Sequence, residues 1–377
     1  MKTKTKTSFL PNYLGSLGVG LATLVSAANA KENDGGILYT MDNASAGNHV
    51  LVITRTGNAL SVTASYETGG FGLGTADGLG SQGSVLLSPD AHWLFACNAG
   101  SGEISVFETL PGGELQLTDK VASGGGQPVS LTLQGSLLYV LNAAANGSND
   151  NVTAFHFGCG NLTQIPGSAR SLSGSNTTPT QVSFSRGGDA LIVTEKITGL
   201  IDTWLLGHDG MATNHQVFTS EGTWPFGFAV GRGDRLFVSE AAAGAPDGSS
   251  VSSYALSDTG GLDVISGKVP TEQTAACWLV LTYDGRYVYT ANAGSATISG
   301  FQVRRDGSLE LLDNPSLPAT TGKHPADMAF GQAGQLLFSL NNGDGSISAF
   351  AIEPNGGLEP KSGLTGLPTT TAGLAGW

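Results

Sequence analysis

The sequence predicts an all-β fold, a seven-bladed β-propeller whose blades are four-stranded antiparallel sheets. A strand-rich unit of about fifty residues recurs along the chain, which is typical of propellers. Within each unit, Asp-Gly, Gly-Gly or Asn-Gly pairs separate short apolar runs, as tight hairpin turns do. Helical periodicity is not seen beyond the N-terminal segment. The 56 glycines among 377 residues fit this prediction, because tight hairpins need positive φ angles.

Three copies of the unit share one order of residues. They run from Val85 to Phe107, from Leu279 to Phe301 and from Met328 to Phe350. Weaker copies occupy 129–157, 181–204 and 227–254, and a first, incomplete copy begins at Ile37. A polar residue ends the second predicted strand of every unit: Asp42, Asn98, Asn142, Glu195, Glu240, Asn292 and Asn341. These seven units fill 31–377, so we expect one propeller domain over that range.

Residues 1–30 have the features of a secretory signal peptide. Lys2, Lys4 and Lys6 precede an apolar stretch over 14–25, and Ala28-Asn29-Ala30 is a small-x-small cleavage pattern. We therefore expect cleavage near Ala30 and a mature protein that is periplasmic or secreted, in a bacterium.

Composition excludes several classes of function. The 17 basic and 30 acidic residues give a net charge of −13, which disfavours nucleic acid as a partner. Past residue 30, no uncharged apolar run is long enough to predict a membrane span. The three cysteines suit neither a disulfide scaffold nor a zinc site, and we expect Cys97 and Cys277 to be buried.

Propeller geometry predicts where a functional site can lie. The innermost strand of a blade starts beside the end of the second strand, so two sets of segments meet at one end of the central channel. One set is the lead-in segments before the innermost strands, at 126–128, 178–180, 223–225, 274–276 and 323–325. The other set is the exit loops that follow the second strands. Loops held by a rigid scaffold are where binding residues concentrate.

The repeated unit resembles a known family. Leu87-Ser-Pro-Asp90 and Tyr283-Asp-Gly-Arg-Tyr-Val-Tyr-Thr-Ala-Asn292 resemble the seven-bladed propeller family of 6-phosphogluconolactonase and the carboxymuconate-lactonizing enzymes. The resemblance covers nearly the whole chain from Ile37 and implies lactone chemistry. It also implies a Glu at the exit loop of the fifth unit, which Glu240 matches. The family's His and Arg positions differ here, at Pro128-Val129-Ser130, Pro179-Thr180-Gln181, Pro225-Phe226, Pro325-Ala326 and Ala293.

The candidate catalytic residues are Glu240, Glu195 and His324. The two glutamates occupy equivalent exit loops and could act as base and acid or hold a cation, while His324 could polarise a carbonyl. The alternative is that each glutamate binds N–H groups of its own loop, that His324 is a solvated surface residue and that Trp224 fills the channel. The candidate ligand-binding residues are Trp224, Lys323, Lys196, Asn292 and Asn341.

Two functions remain open at this stage. The first is an exported lactonase-family propeller that hydrolyses or binds a small lactone or sugar acid at the channel mouth. The alternative is a non-catalytic propeller that binds another protein or a cation, which the missing His and Arg positions favour. Phosphorylated substrates are disfavoured, because no arginine cluster lies on this face. We expect no cofactor, and calcium is the alternative that the carboxylate and amide oxygens leave open.

Overall fold

The structure, a computed structural model, describes residues 36–76, 78–145 and 147–377, except for the side chain of Gln332. Over these residues the chain forms seven antiparallel sheets, each with a path of four strands. The predicted seven-bladed β-propeller is confirmed. The predicted signal peptide and its cleavage site lie outside the described residues.

The strands follow the predicted repeat. The first three blades contain β1 (Ile37–Met41), β2 (His49–Thr56), β3 (Ala59–Glu67); β4 (Val85–Leu87), β5 (Trp93–Asn98), β6 (Glu103–Thr109), β7 (Leu115–Ala122); and β8 (Gln127–Gln134), β9 (Leu137–Ala143), β10 (Asn151–Gly158), β11 (Asn161–Gln164), β12 (Arg170–Ser171). Blades 4 and 5 contain β13 (Pro179–Phe184), β14 (Ala190–Glu195), β15 (Leu200–Leu206), β16 (Ala212–Thr219); and β17 (Pro225–Val230), β18 (Arg235–Glu240), β19 (Ser250–Leu256), β20 (Leu262–Pro270). Blades 6 and 7 contain β21 (Ala276–Leu281), β22 (Tyr287–Asn292), β23 (Thr297–Val303), β24 (Leu309–Leu311), β25 (Ala319–Thr320); and β26 (Pro325–Gly331), β27 (Leu336–Asn341), β28 (Ser346–Ile352), β29 (Leu358–Thr365).

The last strand, β30 (Ala372–Gly376), closes the ring. It is the innermost strand of blade 1 and pairs antiparallel with β1, with Leu38 opposite Gly376 and Met41 opposite Ala372. The first unit is incomplete in the sequence because its innermost strand comes from the other end of the chain.

Burial follows the layered packing of the blades. The second strand of a blade is covered by a neighbouring blade on each side, so β14 and β22 are buried at every position. The outermost strands are mostly exposed: in β16, Ala212 is the one buried residue. The helical elements of the described residues are three short 3₁₀ turns, at Pro111–Gly113, Ala242–Gly244 and Gln332–Gly334.

Residues 78–84, between blades 1 and 2, cross the central channel. The backbone N–H of Gln82 donates to the carbonyl of Thr180 at 2.9 Å. Its side-chain amide pairs with the backbone of Leu279, with Nε2 donating at 2.8 Å and Oε1 accepting at 3.0 Å. A Cβ atom on Gly227 would lie 2.2 Å from the Gln82 Oε1, so only glycine fits beside this side chain.

The neighbours of Gln82 anchor the same crossing segment. Ser81 accepts a hydrogen bond from the Trp278 indole at 2.9 Å and donates from Oγ to the Val129 carbonyl at 2.7 Å. Gly83 accepts from the Leu131 backbone N–H at 2.9 Å. Residues 81–83 are therefore bonded to the inner strands of blades 3, 4 and 6. They separate the two ends of the channel, each of which forms a mouth.

The three cysteines are free thiols. Cys97 and Cys277 are buried, as predicted, and Cys159 is exposed in a turn. Burial raises the pKa of Cys277 to about 12. Among the described residues, no helix has the length and apolar character needed to cross a membrane.

Candidate active site

Glu240, the last residue of β18, lies inside its blade and has no exposed surface. Its Oε1 accepts hydrogen bonds from the Ser220 hydroxyl at 3.0 Å, the Gly222 N–H at 2.8 Å and the Ser252 hydroxyl at 2.7 Å. Its Oε2 accepts from the Ser250 hydroxyl. A carboxylate held in this way binds its own blade, so the structure places Glu240 in the alternative role considered above and not at the channel mouth.

Asn292 and Asn341 occupy the same position in blades 6 and 7 and are also fully buried. Each amide donates two hydrogen bonds of 3.0 Å to hydroxyl groups of the following strand: Thr297 and Ser299 in blade 6, and Ser346 and Ser348 in blade 7. The sequence carries a signal for this arrangement, because hydroxyl residues stand five and seven positions after each of these asparagines. These two predicted ligand-binding residues therefore hold strands together and do not reach the mouth.

Glu195 is buried in the equivalent position of blade 4. Its carboxylate accepts from the Ser173 N–H at 2.9 Å, the Ser173 hydroxyl at 2.5 Å and the Thr198 hydroxyl at 2.6 Å. Burial works to raise the pKa of Glu195, but hydrogen bonds from Asp202, Ser173 and Thr198 outweigh it and lower the pKa. Glu195 is thus ionised and has no exposed surface.

Asp202, on the neighbouring strand β15, faces Glu195. Burial, together with the contact with Glu195, raises the pKa of Asp202 to about 9. At neutral pH, Asp202 therefore carries the proton that it donates to Glu195. On its other side, Asp202 Oδ1 lies 2.5 Å from Nε2 of His215, whose ring stacks on Trp204 at a centroid distance of 4.3 Å. Burial lowers the pKa of His215, so this imidazole is neutral as well.

The Asp202 proton predicts a pH dependence of stability. An unfolded Asp titrates near pH 4, so between about pH 4 and pH 9 the folded state holds a proton that the unfolded state lacks. The free energy of unfolding should therefore fall as pH rises through this window, by up to about 1.4 kcal/mol per pH unit. Asp202→Asn cannot ionise and can still donate to Glu195, so we expect it to lose this slope.

Urea unfolding of both proteins at pH 6, 7, 8 and 9 measures the difference. Burial also raises the pKa of Asp327, to about 7, but this group is common to both proteins and cancels. Parallel pH profiles for the wild type and the variant would show that Asp202 is already ionised in the folded state.

Four lead-in residues share an unusual backbone conformation. Thr178, Trp224, Ala275 and His324 have φ angles of 54°, 60°, 56° and 51°, and each directly precedes the inner strand of its blade. Positive φ is uncommon for residues other than glycine, and strain of this kind concentrates at ligand-binding sites. All four are half-buried at one end of the channel, which we call the lead-in mouth.

A lysine and three aromatic rings lie together at the lead-in mouth. The Lys196 Nζ is 5.7 Å from the ring centroids of both Trp224 and Phe226, a cation–π distance. Phe226 is 4.8 Å from Trp278, measured between centroids, and both of these rings are buried. No carboxylate of the described residues forms an ion pair with Lys196, so its ammonium group is available to an incoming ligand.

His324 completes this group from blade 7. Its ring lies 6.3 Å from Trp278, and its Nδ1 is 2.8 Å from the Oδ1 of the buried Asn342. An amide oxygen only accepts, so Nδ1 carries the hydrogen and Nε2 of the neutral ring keeps its lone pair. Within the described residues Nε2 has no partner, which leaves it able to accept a proton. Lys323, the preceding residue, is exposed.

The structure thus places Trp224, Lys196 and His324 at the same mouth, linked through the rings of Phe226 and Trp278, and Lys323 precedes His324 in the sequence. Sequence reasoning missed Phe226 and Trp278, which form the base of the mouth, and Asn342, which orients His324. The signal for Phe226 was its place directly after the lead-in residue Pro225. In the described part of the chain, no three His, Cys, Asp or Glu side chains converge so as to hold a metal ion.

Comparison with known proteins identifies the class. A family model described as lactonase, seven-bladed β-propeller, matches residues 29–172, 193–318 and 252–364. These segments cover most of the sequence, so the chain belongs to the propeller lactonase family. None of the curated proteins compared with it matches.

Solved structures share the fold over nearly their whole length. The periplasmic gluconolactonase PpgL of Pseudomonas aeruginosa superposes with a TM-score of 0.68 at 17% identity, covering 90% of this chain and 99% of that one. A candidate 6-phosphogluconolactonase of Bacteroides fragilis gives 0.67 at 18% identity, covering 92% and 99%. A hypothetical selenium-binding protein of Sulfolobus tokodaii gives 0.65 at 10% identity, covering 91% and 93%. At these identities the likeness shows the fold alone.

Proposed function

We propose that the protein binds and hydrolyses a small lactone of a sugar acid at the lead-in mouth. One observation carries the proposal: an imidazole with a fixed Nδ1 and a free Nε2 shares this mouth with an ammonium group and aromatic rings, in a chain of the propeller lactonase family. Lactone hydrolysis needs a base for water and a positive charge near the carbonyl oxygen. His324 and Lys196 supply these two groups.

The reaction would proceed by attack of water on the lactone carbonyl. Nε2 of His324 takes a proton from water as its oxygen bonds to the carbonyl carbon, and the ammonium of Lys196 stabilises the resulting oxyanion. The ring C–O bond then breaks, and the proton on Nε2 passes to the departing oxygen to give the hydroxy acid. Trp224 offers an aromatic face to the C–H groups of the sugar ring.

The cationic groups favour an unphosphorylated substrate. Lys196 and Lys323 are point charges and lack the guanidinium fork that binds phosphate through two parallel hydrogen bonds. We further propose that the mature protein acts outside the cytoplasm after cleavage near Ala30. The basic start, apolar stretch and Ala-x-Ala pattern of residues 1–30 support export.

A hydrolysis assay tests this proposal. Residues 31–377 would be given glucono-1,5-lactone and its 6-phosphate, with and without calcium, and proton release would be followed against the spontaneous rate. His324→Gln should lower kcat at least about 100-fold, the smaller end of what a general base contributes. His92→Gln is the matched control, because His92 is an exposed histidine in the turn between β4 and β5 of blade 2. Wild-type turnover in His324→Gln would remove His324 from the mechanism.

The non-catalytic alternative also has an observation in its favour. Glu240 and Glu195, the paired carboxylates that could have acted as acid and base, are both occupied inside their blades. If the propeller only binds its ligand, calorimetric titration with the lactone or its open acid should give a binding heat that is smaller for Trp224→Ala. Ring opening of the lactone should not be accelerated.

A further inference from the structure

Six of the eight arginines of this acidic chain lie in one region, at the end of the propeller opposite the lead-in mouth. They lie in the turns that join strands of blades 4, 5 and 6, or at the start of the strand that follows, and they are Arg186, Arg232, Arg235, Arg286, Arg304 and Arg305. Trp224 precedes β17 and Arg232 follows it, so this six-residue strand separates the two regions by about 20 Å. The arginines are therefore not part of the site described above.

Five of these arginines line a cavity of about 330 Å³ between blades 5 and 6. Its other lining residues include Phe237, Leu281 and Val303, which are apolar, and one acid, Asp284. Cavities from about 300 Å³ upward, with apolar walls and a few charged groups, are typical of small-molecule sites. Five guanidinium groups against one carboxylate leave the lining strongly positive.

The pairing of these arginines is incomplete. Arg286 binds Asp284 at 2.7 Å, Arg304 binds Glu310, and Arg235 donates to the backbone carbonyl of Asp306 at 2.8 Å. These contacts fix three guanidinium groups in place.

Arg232 and Arg305 are exposed, and their side chains have no partner among the described residues. Like charges held this close repel one another, and a bound anion would relieve the repulsion. Guanidinium groups bind phosphate and carboxylate through paired hydrogen bonds.

A second cavity, of about 500 Å³, adjoins the first. The two share Gly231, Arg232, Leu281 and Gly285, and the second adds Arg186 and the phenol ring of Tyr283. Tyr283 is 67% exposed, a large fraction for an aromatic side chain that a ligand does not cover. Gln82 of the crossing segment also lines this cavity, which therefore opens into the other mouth of the channel.

We propose that these two cavities, here called the arginine cleft, bind a small organic polyanion with two or more phosphate or carboxylate groups. The concave shape, the two unpaired guanidinium groups and the exposed ring of Tyr283 all suit a compact, charged ligand. An extended polyanion fits poorly, because Asp234, Asp306 and Glu310 stand around the cleft on a chain of net charge −13. The arginine cleft is independent of the lactone chemistry proposed for the lead-in mouth.

Isothermal titration with pyrophosphate and with citrate tests the arginine cleft. The wild-type mature protein should bind at least one of them with a single site and an affinity that weakens as salt is added. The double variant Arg232→Gln/Arg305→Gln should bind at least tenfold more weakly and still unfold near the wild-type temperature, because these side chains form no hydrogen bond or ion pair with the described residues. Arg55→Gln, a half-buried arginine on blade 1 that contacts Asn58, is the control for the loss of an arginine outside the cleft and should bind like the wild type.

The two probes distinguish the anionic groups. Tighter binding of pyrophosphate would identify a phosphate ligand, and tighter binding of citrate would identify a carboxylate ligand. Equal binding of the two would identify a site that selects its ligand by charge. Two results would overturn the proposal: neither probe binds at millimolar concentration, or the double variant binds as tightly as the wild type. Lactone turnover by the double variant should equal that of the wild type, which keeps this test separate from the one on His324.

Discussion

Deletion of residues 372–377 should abolish folding to a soluble monomer. These residues include all of β30, whose Ala372, Leu374 and Ala375 are buried. Without it, β1 loses its inner partner and becomes an open edge, and blade 1 no longer lines the channel. The Leu374 N–H also donates to the buried carboxylate of Asp327 at 3.1 Å, which would lose this donor. We expect the loss of most of the free energy of unfolding, which is about 5–15 kcal/mol for a typical domain.

Expression yield, size-exclusion chromatography and thermal unfolding measure this effect. Trp377→Ala is the matched control, because this terminal side chain is 53% exposed and its backbone bond to Ile37 is kept. It should unfold within a few degrees of the wild type. A truncated protein that stays monomeric and unfolds cooperatively near the wild-type temperature would contradict this prediction. It would show that six complete blades and a three-stranded blade 1 are enough for a stable fold.

Replacing Glu240 by Ala should cost about 3 kcal/mol or more of unfolding free energy. Three serine hydroxyls and the Gly222 N–H would lose their acceptor in a buried place, and each unmet donor costs about 1–3 kcal/mol. Glu240→Gln keeps the volume and one oxygen, so we expect a smaller loss, about 1–2 kcal/mol. Urea unfolding measures both.

Turnover separates this structural role from a catalytic one. Once corrected for the folded fraction, Glu240→Gln should retain kcat/KM within about threefold of the wild type. Glu221→Ala is the control for stability, because Glu221 is an exposed neighbour and surface changes usually alter stability by under about 0.5 kcal/mol. A stable Glu240→Gln protein without turnover would restore Glu240 as the catalytic base that the family resemblance predicts.

Most of the fold could be predicted from the repeat in the sequence. Hydrophobic alternation and turn residues are local signals, so the strands of blades 2 to 7 can be predicted from them. The crossing segment has no such signal, because residues 78–84 are rich in glycine and take their shape from distant partners. Gln82, for example, binds Leu279, which is 197 positions away. The pairing of β30 with β1 is likewise a long-range contact between the two ends of the chain.

The candidate site was predicted in part. The lead-in rule selected Trp224 and His324, which do lie at one mouth. The exit-loop rule selected Glu240, yet strand alternation puts this residue on the same face of β18 as Leu236 and Val238, both fully buried. The prediction gave more weight to the charge of the Glu240 side chain than to the burial expected for its face of the strand. The structure reconciles the two, because four hydrogen-bond donors surround the buried carboxylate.

The segment through the channel has a consequence for how the two ends of the molecule could communicate. A ligand at one mouth cannot compete sterically with a ligand at the other, because Ser81 and Gln82 stand between them. Any influence of an anion in the arginine cleft on the lead-in mouth would have to be allosteric. One covalent and hydrogen-bonded route runs from Gln82, which lines the second cavity of the arginine cleft, through Ser81 to the Trp278 indole, whose ring lies 6.3 Å from that of His324. In enzyme kinetics, such an effector would appear as a partial, non-competitive modifier.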